Sequence, residues 1–231
     1  ATALSTISDD MKSTIVTQYG IPEGKIQVIY NWGHEELKAH CEAENTFLKK
    51  YPKKPGEYRV LYAGNLGKMQ NVELVLEAAA LMKDEQDISF FIVGSGVNEE
   101  HLKAFANEKK LSNVTFVGMQ PPEEVADLYS SADINVIPLQ KGLIYAALPS
   151  KIADCLIAGK TIITCVDEDS QFANMVNSCG INNVERNSAE ELVKNIKKDR
   201  LAPHKENDAV LMNLFQCRVN VEMHCQTVTN V

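Results

Sequence analysis

Residues 133–167, DINVIPLQKGLIYAALPSKIADCLIAGKTIITCVD, decide the fold. Two apolar runs, 134–138 and 161–166, have the length and β-branched content of buried strands. Between them a loop leads to Leu148-Pro149-Ser150-Lys151, and a short helical run ends at Gly159. Strand, loop, helix and second apolar strand make a βαβ unit, which requires a parallel sheet. Ligands of such sheets sit beyond the carboxyl ends of the strands, where loops turn into helices. Ser150, Lys151 and Asp154 lie at such a corner. A hydroxyl and an ammonium suit phosphate oxygens, and a carboxylate suits ribose hydroxyls. The rest of the chain is therefore read around a nucleotide held here.

Working outward, the same alternation extends over residues 58–199. Strands are expected at YRVLYAG, DISFFIVG, NVTFVG, DINVIPL, KTIITCVD and GINNVE. Helices are expected at NVELVLEAAALMKD, EEHLKAFANEKKL, PPEEVADLYSSA, SKIADCLIAG, SQFANMVNSC and SAEELVKNIKK. In the first helix Val72, Val75, Leu76, Ala79 and Met82 share a face. Pro122 opens the third, and Ser188 caps the last. At least five β–α alternations predict an α/β domain with a doubly wound, Rossmann-like parallel sheet.

Before it, residues 1–8 read as the end of a strand. Ser8 or Asp9 caps a helix that stops at Gly20, and KIQVIYN is a short strand. Asn31-Trp32-Gly33 breaks that strand, so residues 1–34 read as the end of a preceding unit and its linker. Residues 35–57, charged and holding Pro52 and Pro55, read as a surface connection with a short helix. Residues 200–231 carry apolar positions without a period. A docking helix, a disordered tail and an appended segment are all compatible with them.

The totals set limits. The 231 residues are 45% hydrophobic and 23% charged, enough for a large core. The net charge of −8 gives no global signature for nucleic acid. No apolar run approaches the roughly 18 residues of a membrane span, and no signal peptide is evident. The start at ATALST, without Met, points to a cut or processed end. Six cysteines form no CxxC pair; Cys155 and Cys165 read as small core residues, and a reducing, cytosolic setting is expected. The spacing of Cys217, His224 and Cys225 matches no standard zinc pattern, so no metal site is expected.

Candidate chemistry concentrates in the loops. Gly64-Asn65-Leu66-Gly67-Lys68 follows the first strand of the regular domain; its glycines allow close backbone approach to a phosphate, and Lys68 adds an ammonium. Gly94-Ser95-Gly96 invites a dinucleotide reading. Glu99 stands where GxGxxG needs its third glycine, and Glu99-Glu100 would repel a pyrophosphate, so NAD is disfavoured. Asp133, Asp167, Glu168 and Asp169 read first as solvated caps, with Mg2+ or a sugar hydroxyl as the alternative; Ser170 reads as a helix start. His34, His40, His101, His204 and His224 lie in polar surroundings without a nucleophile context, and no GxSxG is present. Leu128 and Tyr129 read as core contacts. Trp32 reads as packing near a hinge rather than stacking on a ligand.

Taken together, KIQVIYN, VLYAGNLGKMQNVELVLEAA, FFIVGSG, NVTFVGMQPPEEVADLYSSADINVIPL and LPSKIADCLIAGKTII resemble the nucleotide-sugar-binding half of a family-4, retaining, GT-B glycosyltransferase. The resemblance covers roughly residues 5–195. The NLGKMQ and ALPSK variants are similar to the branch that builds bacterial envelope polysaccharides, the colanic-acid type. It implies a UDP- or GDP-sugar donor, no cofactor and no metal. It implies a donor-binding set of Gly64, Asn65, Gly67, Lys68, Gly94, Gly118, Met119, Ser150, Lys151 and Asp154. The Gly64–Lys68 loop would face the diphosphate, Gly118-Met119-Gln120 would lie near the base, and Lys151 would reach phosphate or sugar. Asp154 stands where the family places the second glutamate of Glu-x7-Glu, which holds the ribose hydroxyls.

Four positions depart from the family pattern. Ala146 replaces the first glutamate, Asn65 a frequent arginine, Gln70 a common lysine and Thr161 a usual proline. The resemblance also implies an N-terminal acceptor-binding domain as partner, a lipid-linked glycan acceptor, and a cytoplasmic parent enzyme at the inner face of the membrane. This chain alone is expected to bind donor and turn over poorly. A degenerate, non-catalytic interaction domain and a nucleotide-sugar epimerase on the same fold are the alternatives.

Overall fold

The structure is a computed structural model that describes residues 3–34, 38–184, 188–202, 209–216, 220, 222 and 223. Strands β1 (Leu4–Thr6) and β2 (Ile26–Val28) flank helix α1 (Asp9–Tyr19), and α2 (Thr46–Lys50) lies in the connection. The regular domain follows as β3 (Tyr58–Ala63), α3 (Val72–Leu81), β4 (Ile88–Val93), α4 (Glu99–Glu108), β5 (Val114–Val117) and α5 (Val125–Ser130). It continues as β6 (Ile134–Pro138), α6 (Lys151–Ile157), β7 (Thr161–Cys165), α7 (Gln171–Ser178), β8 (Asn182–Asn183) and α8 (Ala189–Leu201). Helix α9 (Ala209–Leu214) comes last.

Strands β3 to β8 form one parallel sheet in the order β5-β4-β3-β6-β7-β8. The chain first builds outward through β4 and β5, then crosses back and builds the other way from β6. The order therefore reverses between β3 and β6, and sheets of this kind bind their ligands at the carboxyl ends of the strands at such a switch point. Alternation along each strand fills two cores. Val60, Tyr62, Phe90, Ile92, Ile134, Val136 and Ile163 enter one, with buried residues of α3, α4 and α8. Leu61, Ala63, Phe91, Val93, Ile137 and Ile162 enter the other, with residues of α5, α6, α7 and α9. Both faces are covered, which is why these strands read as continuous apolar runs.

The expected helix starts are largely seen. The hydroxyls of Ser8, Ser170 and Ser188 accept from Met11 N, Ala173 N and Glu191 N, and Gly20 ends α1 at φ 64°. The PPEE start differs: Pro122–Glu124 form a 3-10 turn, and the α-helix begins only at Val125.

Strands β1 and β2 pair parallel in a sheet of their own. This unit is tied to the domain through α1. The buried Asp10 carboxylate accepts from Gln171 N (2.8 Å) and Phe172 N (2.9 Å), and Thr14 Oγ1 donates to Tyr145 O (3.0 Å). An aspartate from one element thus caps the first turn of α7 in another, where free N–H groups and the helix dipole favour a negative charge.

Residues 38–57 are more than a surface connection. Phe47 is fully buried against Tyr51 and Phe91, with ring centroids 4.9 and 6.1 Å away. The segment is fastened by Asp127, which accepts from His40 N (2.7 Å), His40 Nδ1 (3.0 Å), Thr46 N (2.7 Å) and Thr46 Oγ1 (2.8 Å). Of the readings left open for the tail, a docked helix is what the described residues show over Ala209–Leu214: Leu211 and Phe215 are buried in the core, and Phe215 meets Tyr30 at 5.2 Å between ring centroids. The expected boundary at residue 199 also falls inside α8, which runs to Leu201.

Candidate functional site

The loop after β3 lies at the switch point and is built on its neighbour, the loop after β4. Leu66 N donates to Ser95 O (2.8 Å), and Asn98 N donates to Leu66 O (2.9 Å). The Tyr62 hydroxyl donates to Asn65 O (2.7 Å), and burial pushes that phenol up, so it stays a neutral donor. Gly64 and Gly94 hold φ values of 137° and 139°, a region that side chains rarely adopt. The two glycine loops thus bind each other. A Cβ at Gly96 would lie 2.5 Å from both Asn65 Oδ1 and the Leu66 carbonyl carbon. This explains Gly94-Ser95-Gly96 without a dinucleotide: its glycines admit the backbone of residues 64–66.

Lys151, at the first turn of α6, reaches under this loop. Its ammonium nitrogen is buried, has no hydrogen-bond partner, and stands 3.9 Å from the centre of the Tyr62 ring. A Cβ on Gly64 would lie 2.8 Å from it. The ring face offers a cation partial compensation. A buried ammonium without hydrogen bonds is nevertheless costly. Burial accordingly pushes Lys151 down to about 8, opposed only by the nearby Cys155. Burial also pushes the Cys155 thiol up, so it stays protonated.

Among the other expected residues, Gly67 is buried beside Gln70 and Asn65, while Asn65, Lys68 and Ser150 are exposed. Gly118 has open space around it, and Met119 is among the most exposed apolar residues. The fold therefore joins Lys151, Gly64, Asn65, Gly67 and Gly94 in one contact set. It leaves Gly118, Met119, Lys68 and Ser150 exposed at the surface beside that set. Ala146 is exposed, at the end of a 3-10 turn.

Asp154 is engaged from a direction that the sequence did not indicate. Its Oδ1 accepts from His34 N (2.9 Å) and pairs with His34 Nδ1 (3.0 Å). No local signal marks this contact, because 120 residues separate the two. Trp32, two residues earlier, remains 45% exposed, so it is not a packed interdomain residue within this chain.

The acidic loop residues hold the fold. Asp133 Oδ2 accepts from Lys53 Nζ and Arg59 N, each at 2.6 Å. Asp167 Oδ2 accepts from Gly142 N (2.7 Å), and Asp169 Oδ1 accepts from the Tyr145 hydroxyl (2.6 Å). The last two tie the loop after β6 to the loop after β7. Among the described residues no group of three or more His, Cys, Asp or Glu is placed to hold a metal ion. Cys217, His224 and Cys225 lie outside the described residues.

The glycosyl transferases group 1 family profile matches residues 43–207. The chain belongs to this family. Among curated glycosyltransferases it is 28% identical over 208 residues to the putative colanic acid biosynthesis glycosyl transferase WcaI of Escherichia coli (strain K12). That alignment covers 87% of this chain and 50% of WcaI. It is 24% identical over 181 residues to the probable glycosyltransferase WbjE of Pseudomonas aeruginosa, 78% of this chain and 45% of that protein. The chain thus spans about half the length of the curated relatives it matches. Its fold superposes on that of Anabaena HepE, crystallised with UDP and glucose, with a TM-score of 0.80 at 14% identity over 100% of this chain and 64% of HepE. The lipopolysaccharide-biosynthesis glycosyltransferase WaaG aligns at a TM-score of 0.72 and 17% identity, over 86% of this chain and 53% of WaaG. The α/β fold with its six-stranded parallel sheet is that of a GT-B half.

Proposed function

We propose that this group 1 chain is the donor-binding portion of a retaining glycosyltransferase of cell-envelope polysaccharide synthesis. The observation that carries the reading is the Lys151 ammonium, buried without a hydrogen-bond partner under Gly64 at the switch point of the sheet. A cation kept there at a solvation cost is matched to an anion that arrives from outside. The diphosphate of a UDP- or GDP-sugar supplies one. Two further observations support the reading: WcaI is named for colanic acid biosynthesis, and HepE was crystallised with UDP and with UDP-glucose.

In this reading the exposed Asn65 and Lys68 receive the outer phosphate oxygens, and Lys151 the inner ones. During transfer the bond between the anomeric carbon and the phosphate oxygen breaks, and an acceptor hydroxyl oxygen bonds that carbon while its proton passes to the departing phosphate oxygen. The negative charge grows on the departing diphosphate, where fixed ammonium groups act by electrostatic stabilisation rather than through a metal. Gly118 and Met119 border the base, and Asp154 takes the ribose. The acceptor, a lipid-linked glycan, is held by an N-terminal domain outside this chain, with the whole enzyme at the cytoplasmic face of the membrane. No helix among the described residues is long and apolar enough to cross a membrane.

Calorimetric titration with UDP, GDP, ADP and their sugar conjugates, without metal, tests the site. Micromolar binding selective for one base is expected, with Lys151→Ala weakening it about tenfold or more. Absence of binding by every nucleotide, or equal binding by Lys151→Ala, overturns the assignment.

A further inference from the structure

We infer that His34, on the linker after β2, is a positioning residue that sets the Asp154 carboxylate for the ribose of the donor; this rests on the donor-site reading above. Two independent features seat the linker on α6. The first is the pair of contacts from His34 to Asp154, at 2.9 Å from the backbone nitrogen and 3.0 Å from Nδ1. The second is Gly33. It is buried, and a Cβ on it would lie 2.7 Å from Ile157 Cδ1, 3.0 Å from the Ala153 carbonyl carbon and 3.0 Å from Asp154 Oδ1. A side chain here would press on the α6 backbone at Ala153 and on the Asp154 carboxylate, so glycine lets the linker lie close against α6, and that approach delivers the His34 amide to the carboxylate.

Both contacts fall on Oδ1, and among the described residues Oδ2 has no hydrogen-bond partner, which leaves it for a donor from outside. A carboxylate accepts at about four lone-pair positions, and one fixed by two donors has lost its rotational freedom before a ligand arrives. The Asp154 side chain is 17% exposed and that of His34 is 52% exposed, so the carboxylate is sheltered but reachable. A vicinal diol, with two O–H donors, fits what remains. Discrimination between ribose and 2′-deoxyribose therefore depends on a residue of the linker, outside the six-stranded domain.

The test compares UDP and GDP with their 2′-deoxy forms, by calorimetry, on the wild-type chain, His34→Ala and His34→Asn. The asparagine amide reaches Oδ1 as Nδ1 does. The wild type is expected to prefer the ribonucleotide by about tenfold, because a site built to pair a hydroxyl rejects the analogue without it. His34→Ala should lose most of that preference through weaker ribonucleotide binding, with 2′-deoxy affinity unchanged, and His34→Asn should restore it. Gly33→Ala, which lifts the linker, should reproduce His34→Ala. Equal weakening of both nucleotide forms means a merely structural role and overturns the inference, as does a wild-type chain without ribose preference. Failure of the wild type to bind either nucleotide overturns the donor reading itself, and this inference with it.

Discussion

The backbone of Gly94 lies against the carbonyl group of Gly64: a Cβ at residue 94 would stand 1.9 Å from Gly64 O and 2.9 Å from its carbonyl carbon. The clash is with backbone, which has no rotamer to give. Gly94→Ala, at φ 139°, should therefore cost about 3 kcal/mol or more and abolish nucleotide binding by displacing the Gly64 loop. Gly118→Ala, in open space, should change stability by no more than about 0.5 kcal/mol. Urea unfolding of the two variants checks this, and equal stabilities would mean that the glycine contact is not rigid.

Lys151 gives a pH signature. Its value of about 8 lies below the roughly 10.4 of an unfolded lysine. The folded chain holds fewer protons than the unfolded one between these values, so the penalty is complete below about pH 8 and fades as pH rises toward 10.4. Lys151→Met should stabilise the neutral-pH protein, by at most about 3 kcal/mol, while weakening donor binding. Thermal melts at pH 7 and pH 10 should show that gain shrinking.

The same group should take up a proton when a diphosphate binds. At pH 8 half of the molecules hold the neutral amine, and an anion selects the charged form. Titrations with a sugar nucleotide, whose doubly esterified diphosphate does not titrate near neutrality, in two buffers of different ionisation enthalpy should report uptake of about half a proton per ligand at pH 8, falling toward zero at pH 6. Uptake that persists in Lys151→Ala would assign the proton to another group.

Asp127 fastens the connection before the domain. Burial alone would raise its carboxyl, but hydrogen bonds from the Thr46 and His40 backbones and side chains outweigh that and hold it below its usual value. Asp127→Asn should cost about 2 to 4 kcal/mol at pH 7, since several bonds to one charge are weakened together. The folded value is depressed, so this contribution is present above about pH 4 and is lost as pH falls through the folded value. Denaturant midpoints of the two proteins should converge at acid pH.

The docked tail is tested at Phe215. It is buried and meets Tyr30, whose hydroxyl donates to Asp9 Oδ2 (2.6 Å). Phe215→Ala should cost about 3 kcal/mol, in the range of large core truncations. An unchanged midpoint would show that α9 is not part of the cooperative unit.

The sequence by itself determined the regular domain. Strands buried on both faces must be continuous apolar runs, helices between them must be amphipathic or apolar, and serine caps mark where they start. Ile134–Pro138, Thr161–Cys165 and Ser188 carry those signals locally, so element order, parallel pairing, the loop that holds Gly64 and the helix start that holds Lys151 were legible. The family resemblance added the expected donor residues. Tertiary structure decided what each of them touches. That Gly94 serves Gly64, that Lys151 is buried on Tyr62, and that His34 holds Asp154 depend on distances between residues far apart in the chain. The connection before the domain misled, and the tail stayed undecided, for the same reason. Phe47, Leu211 and Phe215 are isolated buried anchors in polar or aperiodic segments, and no period announces a residue whose burial is set by the partner it meets.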